Sequence, residues 1–158
     1  MEERIIKSVI KVCRMEELPS DEQSLIRKAI EATGRSYSKY SHFSVGAAAL
    51  LDNGQEVIGC NQENAAFSVT ICAERTALFA AGAQYPENAV TKIAIAAANA
   101  DGLLDEPITP CGSCRQALIE TEQRFGREVC ILLYGRKHVY RIDGIKNLMP
   151  LSFTEEVL

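Results

Sequence analysis

FSVGAAALLDNGQEVIGCNQEN, from Phe43 to Asn64, decides the fold. In FSVGAAALL (43–51) both alternating sets of side chains are apolar or small, which predicts a strand covered on both faces. Asp52-Asn53-Gly54 is a hairpin signal, so QEVIGCNQEN (55–64) reads as a second, antiparallel strand. Ahead of the hairpin, PSDEQSLIRKAIEATGRS (19–36) predicts a helix. Ser20 and Gln23 have capping-box spacing, Leu25, Ile26, Ala29 and Ile30 share a face, and Gly34 is the stop. Behind it, TICAERTALFAA (70–81) predicts a helix ending near Gly82.

The rest of the chain continues the alternation. TKIAIAAA (91–98) reads as a strand, GSCRQALIETEQRF (112–125) as a helix stopped near Gly126, and EVCILLY (128–134) and KHVYRI (137–142) as strands. IKNLMP (145–150) reads as one short helical turn. Ile5 to Arg14 is β-branched and reads as a further strand, although Ile6, Val9 and Ile10 also fit a helical stripe. The order α-β-β-α-β-α-β-β predicts an α/β fold: three α/β/α layers around a mixed, roughly five-stranded sheet with some parallel pairing.

The 158 residues, 47% apolar and 24% charged, fit one compact soluble domain spanning 1–158. A net charge of −4 argues against a surface for polymeric nucleic acid. No run approaches the roughly 18 apolar residues of a membrane helix, and MEERIIKSVIKVCR reads as no signal peptide. The expected compartment is the cytoplasm, where thiols stay reduced. The six cysteines then read as buried, metal-binding or catalytic rather than as a disulfide framework. Cys13, Cys60 and Cys130 read as small core residues.

Cys111-Gly112-Ser113-Cys114 is ambiguous by itself: a redox pair, or half of a structural or catalytic zinc site. At a helix start both sulfurs can reach one point, and the positive end of the helix dipole favours thiolates there. Cys72 stands at a second helix start. Three thiolates without an obvious fourth ligand point to a catalytic zinc, since structural sites close with four. His42 and His138 read as exposed or locally bonded. Glu74 can share a target with Cys72 only beyond the helix end, where a carboxylate could move a proton for a water made acidic by zinc. Zinc with three thiolates carries a net negative charge, which Arg75 could offset by donating to a sulfur. Arg115 could do the same.

CAERTALFAA (72–81) joined to PCGSCRQAL (110–118) resembles the zinc signature of cytidine deaminases, specifically the small, homotetrameric, three-cysteine kind. The resemblance covers about residues 22 to 155. It implies Zn²⁺ on Cys72, Cys111 and Cys114, Glu74 as proton shuttle, and hydrolytic deamination of cytidine and 2′-deoxycytidine. It implies that Asn61 and Glu63 in GCNQENAAF (59–67) hold sugar hydroxyls, that Phe43 flanks the nucleoside and that the Ala73 backbone contacts the pyrimidine. Phe153, in LMPLSF (148–153), would enter a neighbouring subunit's site, placing sites at the interfaces of a homotetramer. Three features depart from the pattern: the extension over residues 1–20, which has no assigned role, Phe67 where a tyrosine is common, and a somewhat longer stretch at ETEQRFGREV (120–129). Two other readings remain open at this stage: a deaminase of a cytosine-containing antibiotic of the blasticidin S type, and a zinc-stabilised binding module without catalysis.

Overall fold

The computed structural model describes residues 1–154. The chain runs through β1 (Lys11–Cys13), α1 (Ser20–Thr33), β2 (Ser44–Leu51), β3 (Glu56–Cys60), α2 (Ala73–Gln84), β4 (Val90–Asn99), β5 (Gly102–Leu103), α3 (Gly112–Phe125), β6 (Cys130–Tyr134) and β7 (Val139–Asp143). The sheet order is β1-β7-β6-β4-β2-β3, with β5 paired to the end of β4. Short turns make β2–β3 and β6–β7 antiparallel, and β2–β4 is antiparallel as well. The long β4–α3–β6 connection makes the parallel pair, since parallel neighbours need a crossover of a dozen or more residues.

Alternation along the central strands sorts the side chains into two cores. On one face Ala48, Ala94, Ala96 and Leu132 pack under Leu25, Ile26 and Ala29 of α1. On the other, Ala47, Ala49, Ile93, Ile95, Ile131 and Leu133 pack under Ala77 and Leu78 of α2 and Leu118 of α3. The three α/β/α layers are therefore formed. Each fully buried Leu or Ile contributes about 1.5–3 kcal/mol.

One charged cluster ties α1 to the sheet. The Glu22 carboxylate, 1% exposed, accepts from Lys92 Nζ at 2.9 Å and from Arg141 Nε at 3.1 Å. Lys92 also reaches Asp21 (2.7 Å), and Arg141 reaches Asp143 (2.6 Å). Burial alone would raise the Glu22 carboxyl, but hydrogen bonds from Arg141 and Lys92 outweigh it and hold the group below its ordinary value.

Among the described residues the sheet has seven strands rather than five. β1 occupies only the end of the stretch expected to be a strand. Its register with β7 pairs Lys11 with Arg141 and Cys13 with Val139, so Val9 falls opposite Asp143, the last residue of β7, and residues 5–8 run past it. Val9 N–H instead donates to Asn147 Oδ1 at 2.9 Å. β5 is two residues long and leaves no periodic signal. The second hairpin strand ends at Cys60 instead of Asn64. The capping box at Ser20 does not form: Pro19 is the cap residue, and Gln23 Nε2 donates to the Leu18 carbonyl at 2.9 Å. The helix stop at Gly126 is left-handed (φ 60°), and Ile145–Asn147 makes the short turn expected there.

Candidate metal centre and active site

Two helix starts converge below the carboxyl end of β3. Cys72 caps α2 and Cys111 caps α3, each with extended backbone, and Cys114 lies in the first turn of α3. Gly59 of β3 fixes the height of α2: a Cβ there would stand 2.4 Å from Ala77 N and 2.5 Å from Ala73 O. The helix can seat its first turn directly on the strand only because no side chain intervenes. Thr76 Oγ1 donates to the Cys72 carbonyl at 3.0 Å and steadies the cap.

The three sulfurs lie within 4.8 Å of one another. Cys72 Sγ is 3.8 Å from Cys111 Sγ, which is 3.5 Å from Cys114 Sγ. Tetrahedral zinc with Zn–S bonds of about 2.3 Å sets sulfurs about 3.8 Å apart, so the donor set fits zinc. Among the described residues no fourth His, Cys, Asp or Glu joins the group. Hydrogen bonds, foremost from the Cys114 thiol and then from Arg75 and Cys111, draw the Cys72 thiol down to about 5 despite burial. Cys114, donating to Cys72 and buried, is pushed up.

Glu74 is 4% exposed, and burial pushes its carboxyl above the ordinary range, with the charge of Cys72 adding to the rise. Arg75 Nη2 approaches Cys72 Sγ at 3.7 Å, while its Nε is buried without a partner. Arg115 does not go to a sulfur. Its guanidinium donates to the carbonyls of Pro110 (2.9 Å) and Leu148 (2.6 Å) and to Thr109 Oγ1 (3.3 Å). His42 is exposed and His138 faces Glu106 at 3.1 Å, so neither joins the centre.

A cavity of about 290 Å³ is lined by Cys72 and Cys111, while the third cysteine, Cys114, is buried behind them. Cys72, Ala73, Glu74 and Cys111 form one end, and Phe43, Asn61 and Glu63 line the same space. Asn61 is already engaged: its Oδ1 accepts from Ser36 Oγ (2.5 Å) and Val45 N (2.8 Å), and its Nδ2 donates to the Phe43 carbonyl (2.9 Å). Glu63 accepts from Tyr40 N (2.7 Å), Ser41 N (3.2 Å) and Ser41 Oγ. Both side chains thus hold the loop before β2 as well as facing the cavity. Phe153 does not line it. That ring is 60% exposed, and its backbone carbonyl accepts from Gln116 Nε2 at 3.0 Å. Phe67 is exposed and away from the cavity. Sequence reasoning missed Ser41, Thr70, Ile71, Ile108 and Thr109, which also line it. A larger groove of about 730 Å³ runs between α2 and α3, where Phe79 is exposed, but it reaches no cysteine.

Residues 19–130 match the family described as the cytidine and deoxycytidylate deaminase zinc-binding region. The chain is similar to the cytidine deaminase of Halalkalibacterium halodurans, 47% identical over 136 residues that cover 86% of this chain and 96% of that protein. It is 36% identical over 137 residues to the cytidine deaminase of Mycobacterium tuberculosis, covering 86% and 92% respectively. Among solved structures, the cytidine deaminase of Burkholderia pseudomallei superposes with a TM-score of 0.69 at 36% identity, covering 82% of this chain and 97% of that one.

Proposed function

This chain belongs to the cytidine and deoxycytidylate deaminase family, and we propose that it hydrolyses cytidine, and 2′-deoxycytidine with it, to the uridine product and ammonia in pyrimidine salvage. The observation that carries this reading is a cavity lined by Cys72, Cys111 and the buried Glu74 together with Asn61 and Glu63, with the Cys114 sulfur buried within 4.8 Å of the other two. Cys72, Cys111 and Cys114 hold Zn²⁺. When bound, the metal supplies Lewis acidity that brings the pKa of water toward about 7.

Glu74 handles the protons. Its carboxylate takes one from the attacking water and delivers it to N3 of the pyrimidine, which makes C4 electrophilic. After oxygen adds at C4, Glu74 carries the remaining proton of the new C4 hydroxyl to the amino group, and the C4–N bond breaks to release ammonia and leave the C4 carbonyl of the uridine product. Burial, by raising the carboxyl, suits a group that must hold a proton between steps. The Ala73 backbone meets the pyrimidine edge, Phe43 flanks the nucleoside, and Asn61 and Glu63 hold the sugar hydroxyls. The hydrogen bonds these two already make keep them preorganised. Arg75, against Cys72, offsets the negative charge of the thiolates.

The assembly is a homotetramer in which Phe153 enters a neighbour's cavity. Its exposure and the open α2–α3 groove with exposed Phe79 support this. Residues 1–158 act as one domain carrying an N-terminal extension. The protein works in the cytoplasm, where its six free cysteines stay reduced. Among the described residues no helix is long and apolar enough to cross a membrane, and the acidic balance disfavours nucleic acid as a partner.

The test combines zinc analysis with ultraviolet monitoring of cytidine and of blasticidin S at equal concentration. One zinc per chain, cytidine turnover and little antibiotic turnover are expected. Glu74→Gln should keep the zinc and lose roughly 10²- to 10⁴-fold in turnover. Near-normal activity in that variant, or preference for the antibiotic, would overturn the reading.

A further inference from the structure

Arg115 sits one residue after a proposed zinc ligand, yet its guanidinium turns away from the sulfurs. Nε donates to the carbonyl of Pro110, the residue before Cys111, and Nη2 to Thr109 Oγ1. Nη1 donates to the Leu148 carbonyl at 2.6 Å, 33 residues away in sequence. One planar group therefore joins the loop before α3 to the segment that follows β7. Gln116, the next residue, adds a second tie from the same helix turn to that segment through the Phe153 carbonyl.

The three cysteines are held very differently. Cys114 is buried within α3. Cys72 is held by Thr76 and Arg75 around its carbonyl and its sulfur. Cys111 is exposed and makes no side-chain cap bond, and it ends a stretch, 104–111, without regular structure. Ile108 and Thr109 of that stretch also form a wall of the cavity. The Cys111 sulfur and this wall can be no better fixed than the loop that carries them, and Arg115 is the side chain that pins Thr109 and Pro110.

We propose that Arg115 is a positioning residue that locks the Cys111 loop against the C-terminal segment and so holds the third sulfur in place for the metal. The proposal rests on the reading of the three cysteines as zinc ligands. A fork of N–H donors is required, because three acceptors in different directions must be met at once. A lysine offers one compact ammonium and cannot span them. Loss of a group that orients a metal ligand typically costs about 10- to 100-fold in metal affinity.

The experiment compares the zinc-loaded parent with Arg115→Ala and Arg115→Lys. It measures zinc transfer to a chromogenic chelator and the thiolate-to-metal absorption of the cobalt(II)-substituted proteins. Circular dichroism and thermal melting establish folding, and Arg115→Lys, which keeps the charge and the aliphatic stem, serves if the alanine variant does not fold. Both variants should release zinc about 10- to 100-fold faster and show weakened thiolate absorption, without rescue by lysine. A purely stabilising role would lower the melting temperature but leave release rate and cobalt spectrum at parental values, and that result overturns the proposal. A parent that binds no zinc overturns the functional reading and this inference together. A parent that holds zinc but does not turn over cytidine, with variants that release metal faster, overturns only the deaminase assignment.

Discussion

Replacing Gly59 with alanine tests how the fold delivers its chemistry. The added methyl would stand 2.4 Å from Ala77 N and 2.5 Å from Ala73 O, both backbone atoms of α2. Comfortable carbon contacts begin near about 3.5 Å, so the helix must retreat by about 1 Å. Overpacking of this kind costs about 1–3 kcal/mol. The same helix carries Cys72 at its cap and Glu74 in its first turn, and a displacement of about 1 Å at reacting groups can cost about 100-fold in rate. Gly82→Ala, in the same helix, is the matched control. There the nearest atom to a new Cβ is Arg124 Nη1 at 3.6 Å, an ordinary contact with a flexible side chain. Alanine should stabilise that position by about 0.4–1 kcal/mol, the opposite sign to Gly59→Ala. Urea denaturation and cytidine consumption, measured on both variants, give the two readings. A Gly59→Ala protein with parental stability and turnover would refute the claim that close seating of α2 on β3 sets the site.

Two further perturbations address other parts of the account. Glu22→Gln should destabilise the protein at pH 7 by about 3 kcal/mol, because Lys92 and Arg141 lose the carboxylate between them. The Glu22 carboxyl is held below its ordinary value, so its contribution is present above the ordinary glutamate range and lost as pH falls through the folded-state value. The stability gap between parent and variant should therefore close in acid, and a gap independent of pH would contradict the assignment. Subunit sharing is tested by mixing Glu74→Gln chains with Phe153→Ala chains after dissociation and reassembly. Each alone should be impaired, whereas hybrids that join an intact Glu74 to a neighbour's Phe153 should regain activity; no recovery would count against Phe153 acting across an interface.

The sequence exposed those parts of the molecule that depend on local pattern. Alternation in FSVGAAALL and TKIAIAAA marked strands whose two faces feed different cores, and the two helix starts bearing cysteines were readable from spacing. Features set by distant partners were not. The extent of β1 depends on where β7 ends, and β5 is too short to have a period. Ser20 looked like a cap, but Pro19 takes that position. Arg115 was legible as a charge beside Cys114, but its acceptor at Leu148 is brought near only by folding. Ile108 and Thr109 line the cavity because the loop before Pro110 passes over it, and no residue type in that loop announces the contact. The cluster of Cys72, Cys111 and Cys114 beside Glu74 was legible because those residue types are uncommon in combination, whereas the cavity's apolar walls use the same side chains as the core.

X-ray absorption at the zinc edge of the purified protein counts the atoms that hold the metal. Three sulfur neighbours at about 2.3 Å and one oxygen at about 2.0 Å are expected, with the same sulfur count retained in Glu74→Gln. Four protein ligands around the metal, or fewer than three sulfurs, would contradict that arrangement.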